Sequence, residues 1–388
     1  MIAEPPAGRV PLSTIAREWM RIGLTGFGGP PAHIELLRRL VVERERWLDP
    51  HEFENAVAAC NLLPGPASTQ LAIFCARRLG GPAGALVGGL GFIAPAVVLM
   101  LALSALFLSH SPPTWVRGAG AGAGAAVAAV AVGAGIGLAR PSWKRAHSSM
   151  ARQRRWIAYV LAGGASAALI GPYLVLVLLG CGALELELRS GNGVRPQALL
   201  PALPTAAVSV GGVGALAWVA LKVGALSFGG GFVIVPLMQR DAVHTYHWMT
   251  ATGFLNAVAL GQVTPGPLVA TVAAIGYAAH GLAGGVLAAA IAFAPSFTVV
   301  LLGGGHFQRL RYNARAQAFL DGAGPAAVGA ILGAAIPLAG ALAETWQILV
   351  LSAAAVALLL ARRGVVSTLV VAGLAGAIVA IAGGPLPG

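Results

Sequence analysis

The chain has 388 residues, 57% hydrophobic and 10% charged, with a mean hydropathy of +0.80. Soluble domains carry about 25% charged residues, so this composition sets the chain apart from soluble enzymes and marks a polytopic helical membrane protein. The net charge of +12 sits in short loops between apolar runs, where positive-inside topology collects it, so nucleic acid is not an expected partner.

Met1 to Val10 lacks an apolar core with a cleavage site, so no removable signal peptide is expected. Pro11 to Phe27 is amphipathic, carries Arg17, Glu18 and Arg21, and stops at Gly26-Phe27-Gly28-Gly29-Pro30-Pro31. Pro31 to Trp47 places Glu35, Arg38, Arg39, Glu43 and Arg44 at helical spacings and predicts a surface helix with i,i+3 and i,i+4 pairs. Phe53 to Phe74 is apolar but broken at Pro64-Gly65-Pro66. Ala83–Leu108 and Gly118–Ala139 are long enough to span, and a basic loop from Arg140 to Arg155 follows. Ile157–Leu184, cut by Gly171-Pro172, reads either as one tilted span or as a hairpin of two short ones. Gly191 to Pro204 reads as a linker.

The second half repeats this order. Thr205–Phe228 runs into Ser227-Phe228-Gly229-Gly230-Gly231, and Gly253–Ala279 is broken at Pro265-Gly266-Pro267. Leu282–Leu302, Gly322–Ala343, Trp346–Ala361 and Val365–Ala382 complete the set. At an offset of 201 the identities include Gly23/Gly224, Phe27/Phe228, Gly28/Gly229, Gly29/Gly230, Trp47/Trp248, Phe53/Phe254, Asn55/Asn256, both Pro-Gly-Pro triplets, Gly80/Gly281 and Gly84/Gly285. Trp156 and Trp346 open equivalent late segments. Such duplication marks a two-repeat membrane fold.

Charge orients the repeats. The basic loop follows Gly118–Ala139, whereas Arg309, Arg311 and Arg315 precede Gly322–Ala343 and Glu344 follows it. Equivalent segments then cross in opposite directions. The expected fold is all-α and polytopic, with two homologous repeats in inverted topology and about ten spans plus two broken, re-entrant segments. Residues 1–190 are expected to form the N-terminal repeat, 191–204 the linker and 205–388 the C-terminal repeat.

Paired breaks at membrane depth point to a binding site, because irregular backbone there must be satisfied by protein or by a wet cavity. Gly28, Gly29, Gly229 and Gly230 expose backbone N–H groups and tolerate positive φ. Pro64-Gly65-Pro66 and Pro265-Gly266-Pro267 each start a new helix, whose free N–H groups favour an anion. Ser68 and Thr69 add hydroxyl donors, Asn55 and Asn256 are candidate walls, and Arg21 and Lys222 occupy equivalent positions as candidate counter-charges. His33, just past the first glycine motif, is the one histidine singled out for test. The three cysteines, Cys60, Cys75 and Cys181, read as packing residues. No catalytic motif, metal cluster or cofactor site is recognised, and the chain is not expected to be an enzyme.

Gly26-Phe27-Gly28-Gly29-Pro30, Asn61-Leu62-Leu63-Pro64-Gly65-Pro66, Ser227-Phe228-Gly229-Gly230-Gly231 and Gln262-Val263-Thr264-Pro265-Gly266-Pro267 together resemble the chromate ion transporter family in its long, two-domain form. Glu43-Arg44-Glu45-Arg46-Trp47-Leu48 and Arg77-Arg78 extend the similarity over nearly the whole chain. The resemblance implies multi-pass residence in a bacterial inner membrane and export of chromate, a sulfate-shaped dianion, conferring chromate resistance. It also implies coupling to an ion gradient or the membrane potential rather than to ATP. A homodimer is a further expectation. Asn61 stands where family members often carry Gln, and Ala67 where Asn is usual, which keeps sulfate or another oxyanion as an alternative substrate. A membrane enzyme acting on lipid phosphate and a substrate-free scaffold are the readings from other classes.

Overall fold

The computed structural model describes residues 9–61, 63, 65–108, 112–147, 149–170, 174–190, 212–227, 231–303 and 313–387. Several sequence expectations fall outside them: Pro64, Gly171-Pro172, the 191–204 linker, Phe228-Gly229-Gly230, Arg309 and Arg311. The described residues are helical, with no strand among them. In the first half they form α1 (Leu12–Thr25), α2 (Pro30–Arg38), α3 (Pro50–Cys60), α4 (Ala67–Phe107), α5 (Thr114–Ala146), α6 (Met150–Ala165) and α7 (Leu174–Ser190). In the second half they form α8 (Val213–Ala225), α9 (Ile234–Gln239), α10 (Ala251–Val263), α11 (Val272–Gly303), α12 (Ala314–Gly340), α13 (Thr345–Ala355) and α14 (Val365–Ile381).

The duplication is visible in helix chemistry. Asp49 caps α3, accepting from the His51 and Glu52 N–H groups, and Thr250, 201 positions later, caps α10 through Gly253 N–H. One wide π turn, Arg39–Arg44, extends α2 and its counterpart, Arg240–Thr245, extends α9; Ser166–Ile170 and Val356–Leu360 do the same after α6 and α13. The surface helix expected from Pro31 is α2 with its π turn, and Arg39 and Glu35 make the i,i+4 pair.

Among the described residues four helices are long and apolar enough to cross a bilayer: Ala67–Phe107, Thr114–Ala146, Leu268–Gly303 and Ala314–Gly340. Each half's first long helix is kinked at a glycine with positive φ, Gly81 (φ 66°) in α4 and Gly281 (φ 61°) in α11. This corrects the pairing Gly80/Gly281 and Gly84/Gly285. The true equivalents are Gly81/Gly281 and Gly84/Gly284, an offset of 200, since a methyl at Gly84 would run into Ala76 O and one at Gly284 into Gly276 O. The lost residue has a physical account. The second half begins this helix with a 3₁₀ turn, Leu268–Thr271. Four 3₁₀ residues advance about 8 Å and five α-helical residues about 7.5 Å, so the two halves stay in register.

The late helices are exchanged between halves. α5 packs against α13 and α14, α12 packs against α6 and α7, and α5 and α12 lie against each other. Small residues permit this approach. A methyl on Gly122 would meet Ala372 O in α14, and one on its counterpart Gly322 would meet Cys181 O in α7. Ile157–Leu184 is resolved as two helices. Arg155 and Tyr159 of α6 both bond Glu185 of α7, so the chain folds back as a hairpin rather than running on as one tilted span.

Candidate functional site

The first glycine motif is the joint between α1 and α2. Gly26 ends α1 with its N–H on Ile22 O, Gly28 and Gly29 take φ of 103° and 73°, and Pro30 opens α2. Among the described residues none lies within 4 Å of a methyl built at Gly29. The carbonyl of Gly26 accepts from Gly266 N–H (3.0 Å). His33 Nε2 lies 2.9 Å from the same oxygen, and His33 Nδ1 is 3.2 Å from Ser68 Oγ at the start of α4. One hydrogen-bonded chain thus joins the first glycine motif, the second Pro-Gly-Pro break and the first turn of α4.

The two breaks are seated reciprocally. A Cβ at Gly266 (φ 103°) would lie 2.7 Å from Ala96 Cβ and 3.7 Å from Gly23 O. One at Gly65 (φ 114°) would lie 3.5 Å from Gly224 O and 3.5 Å from Ser296 Oγ. Gly23/Gly224 and Ala96/Ser296 are repeat equivalents, so each break rests on the first helix and the long helix of the opposite half. Only glycine fits there, for space as well as for φ.

Around the breaks stand buried polar atoms without a partner among the described residues: Thr69 Oγ1, Ser227 Oγ, Ser296 Oγ and Gln262 Nε2; Asn256 Oδ1 is another, farther along α10. Thr69, Ser227 and Ser296 are fully buried. An unsatisfied buried polar atom costs about 1–3 kcal/mol, so several in one region call for a ligand or water. Thr264 differs, its hydroxyl resting 3.6 Å from Met100 Sδ.

Asn256 and Asn55 occupy unequal surroundings. Asn256 lies against α5, where a methyl at Gly120 would meet its Nδ2 at 2.9 Å and one at Gly124 its Oδ1 at 3.1 Å. Asn55 is half-buried on α3, which packs on α4 through the Arg78–Glu52 ion pair instead of along α12. Gly324, the counterpart of Gly124, has nothing within 4 Å of a built methyl.

The candidate counter-charges are placed differently from the breaks. Arg21 is exposed on α1. Lys222 Nζ is held 2.6 Å from Asp241 Oδ2 and 5.7 Å above the Trp218 ring. Burial lifts the Asp241 carboxyl above its ordinary range, against the pull of Lys222. Pro64, Gly229 and Gly230 lie outside the described residues. Sequence reasoning passed over Ser227, Ser296 and Gln262 as donors. The signal for Ser296 was present, since Pro95-Ala96 and Pro295-Ser296 pair at an offset of 200 and one half alone carries a hydroxyl.

Comparison with known proteins agrees with the two-half pattern. The family model described as Chromate transporter matches residues 13–186 and again 214–381, two regions whose starts are 201 positions apart. The chain is 33% identical to a chromate transport protein of Pseudomonas aeruginosa, over 96% of this chain and 93% of that one. It is 31% identical to a chromate transport protein of Cupriavidus metallidurans, over 94% and 92%. A probable chromate transport protein of Synechococcus elongatus is 29% identical over 84% of each chain. No solved structure matches. With both halves matched and such relatives covered along most of their length, the chain belongs to the chromate transporter family.

Proposed function

We propose that the protein exports a tetrahedral oxyanion dianion, chromate first, across the bacterial inner membrane by alternating access between two inverted repeats, and so confers chromate resistance. The observation that carries this reading is the reciprocal seating of the two breaks among buried, unpartnered hydroxyl and amide groups. Donors at helix starts suit an anion whose charge is spread over four oxygens. Gly28, Gly29, Gly65, Gly266, Ser68 and Thr69 are the binding residues in this reading, joined by Ser296 and Ser227, with Gly229 and Gly230 as the counterpart motif. Residues 1–190 and 205–388 are the two transport halves, and α3 and α10 are re-entrant. No fixed cation is needed as a driving charge. An inside-negative potential is worth about 2.3 kcal/mol per charge per 100 mV, so a dianion gains about 4.6 kcal/mol on leaving.

The unequal placement of α3 and α10 supports alternation. α10 is docked on α5, whereas the matching surface at Gly324 is open and α3 is held on α4. Exchanging these two arrangements between the halves is the simplest way for an inverted-repeat carrier to face the other side. The test compares chromate and sulfate uptake into everted membrane vesicles. Chromate accumulation that depends on the protein supports export. Sulfate accumulation without chromate accumulation transfers the substrate assignment to sulfate, and movement of neither anion removes the reading.

A further inference from the structure

The Gly26 carbonyl decides the tautomer of His33. It accepts from Gly266 N–H at 3.0 Å and lies 2.9 Å from His33 Nε2. A carbonyl oxygen only accepts, so Nε2 carries a proton. In the neutral ring Nδ1 is then bare, and at 3.2 Å it accepts the Ser68 hydroxyl proton. The ring is fully buried and edge-on to Phe92 at 5.1 Å, and both of its nitrogens have these protein partners. Ser68 therefore spends its single proton on His33 and presents only lone pairs to the start of α4. In that state it offers an anion nothing. A proton added at Nδ1 reverses the bond: Nδ1–H donates to Ser68 Oγ, the Ser68 O–H is released as a donor, and a positive charge stands behind it.

We propose that His33 is the proton-linked positioning residue of the oxyanion site, acting through the Ser68 hydroxyl so that dianion and proton bind together. The inference rests on the transport reading above. Its balance is simple. One proton passes from solvent to Nδ1 as the anion binds and leaves when the anion leaves, and no covalent bond other than N–H changes. The complex keeps one net negative charge, so an inside-negative potential still draws it outward.

Among the described residues no charged side chain bonds the ring. On α2 Glu35 pairs with Arg39, and Arg38 with Glu43 and Glu54. On α1 Arg17 and Glu18 pair, Glu18 also takes Arg44 of the π turn, and Arg21 is exposed. On α4 Cys75 is buried, Arg77 donates to Val300 O and Arg78 pairs with Glu52. The segment around Gly266, residues 262–271, contains no titratable group. The second half has Ile234 and Val269 at the equivalent positions, so the linkage belongs to the first half alone.

The experiment is calorimetric titration of the purified full-length protein with sulfate, a dianion throughout the range in which histidine titrates, in two buffers of different ionisation heat. Should the wild type take chromate but not sulfate, chromate is the probe, with its own protonation subtracted from a protein-free titration. The expected result is uptake of close to one proton per anion where His33 is neutral, with affinity falling up to about tenfold per pH unit. His33→Gln keeps an N–H for Gly26 and an acceptor for Ser68, copying the neutral ring. It is expected to bind more weakly, with no proton uptake and a flat pH profile. Anion binding by the wild type without proton uptake, or an unchanged pH profile in a folded His33→Gln, overturns the inference and leaves the transport reading standing. Failure of the wild type to bind either anion overturns both.

Discussion

Ser296→Ala separates a binding hydroxyl from a packing one, because the two roles predict opposite signs. The Ser296 hydroxyl is fully buried, has no partner among the described residues, and stands beside the first Pro-Gly-Pro break. Alanine is known to fit, since Ala96 fills the equivalent position beside the second break. Removing an unsatisfied buried hydroxyl relieves about 1–2 kcal/mol of desolvation, so the anion-free variant should be more stable than the wild type. The same change deletes a hydrogen bond to a charged ligand, worth about 1.5–3 kcal/mol, so oxyanion affinity should fall roughly 10- to 150-fold. Thermal unfolding of the purified protein with and without anion reads both effects. A higher melting temperature without anion and a smaller shift with it are expected. A destabilised anion-free variant, or unchanged affinity, would refute the assignment of Ser296 to the site.

Gly266→Ala should abolish transport while Gly29→Ala weakens it less: each costs about 1–3 kcal/mol for a backbone that favours glycine, but only the Gly266 methyl also meets a neighbour, Ala96 at 2.7 Å. Similar flux in the two variants would contradict the seating of the second break. Glu185→Leu strips Arg155, Arg189 and Tyr159 of their shared acceptor. Loss of a buried partner costs about 3–5 kcal/mol, and with both arginines 30% exposed the expected destabilisation is nearer 2–3 kcal/mol, measured by denaturation. A neutral result would show that the cluster adds nothing to the α6–α7–α12 contact. Cysteine pairs test the exchange of α3 and α10. Gly124→Cys with Asn256→Cys should cross-link at rest, and Asn55→Cys with Gly324→Cys only when substrate is present. Equal cross-linking of the second pair with and without substrate would rule out a substrate-driven movement of α3.

The class of fold was legible because apolar runs, proline breaks and a duplicated motif are local signals. The first break and the capping positions Asp49 and Thr250 lie where an offset of 201 puts them. Beyond the breaks that offset fails, because the 3₁₀ turn at Leu268–Thr271 absorbs one residue, a backbone choice that no side-chain pattern announces. The partnership of α5 with α13 and α14, and of α12 with α6 and α7, was hidden for a related reason. Alanine and glycine surfaces such as those at Gly122 and Gly322 pack by shape and carry no address. At Lys222 the sequence showed the equivalence to Arg21 but not the partner, Asp241, 19 residues on, which pairs with the ammonium. The buried donors were the least legible part. A serine such as Ser296 in an apolar helix reads as filler until the opposite half's break is brought against it.

Transport as proposed places oxyanion passage in this chain alone, through the site at its two breaks. The most direct measurement is chromate flux in liposomes containing only the purified protein, with the membrane potential imposed by a potassium gradient. Flux toward the positive side that grows with the potential is expected, together with its loss in Gly266→Ala protein that is still inserted. Flux indifferent to both the potential and Gly266, or no flux from correctly inserted wild-type protein, would contradict it.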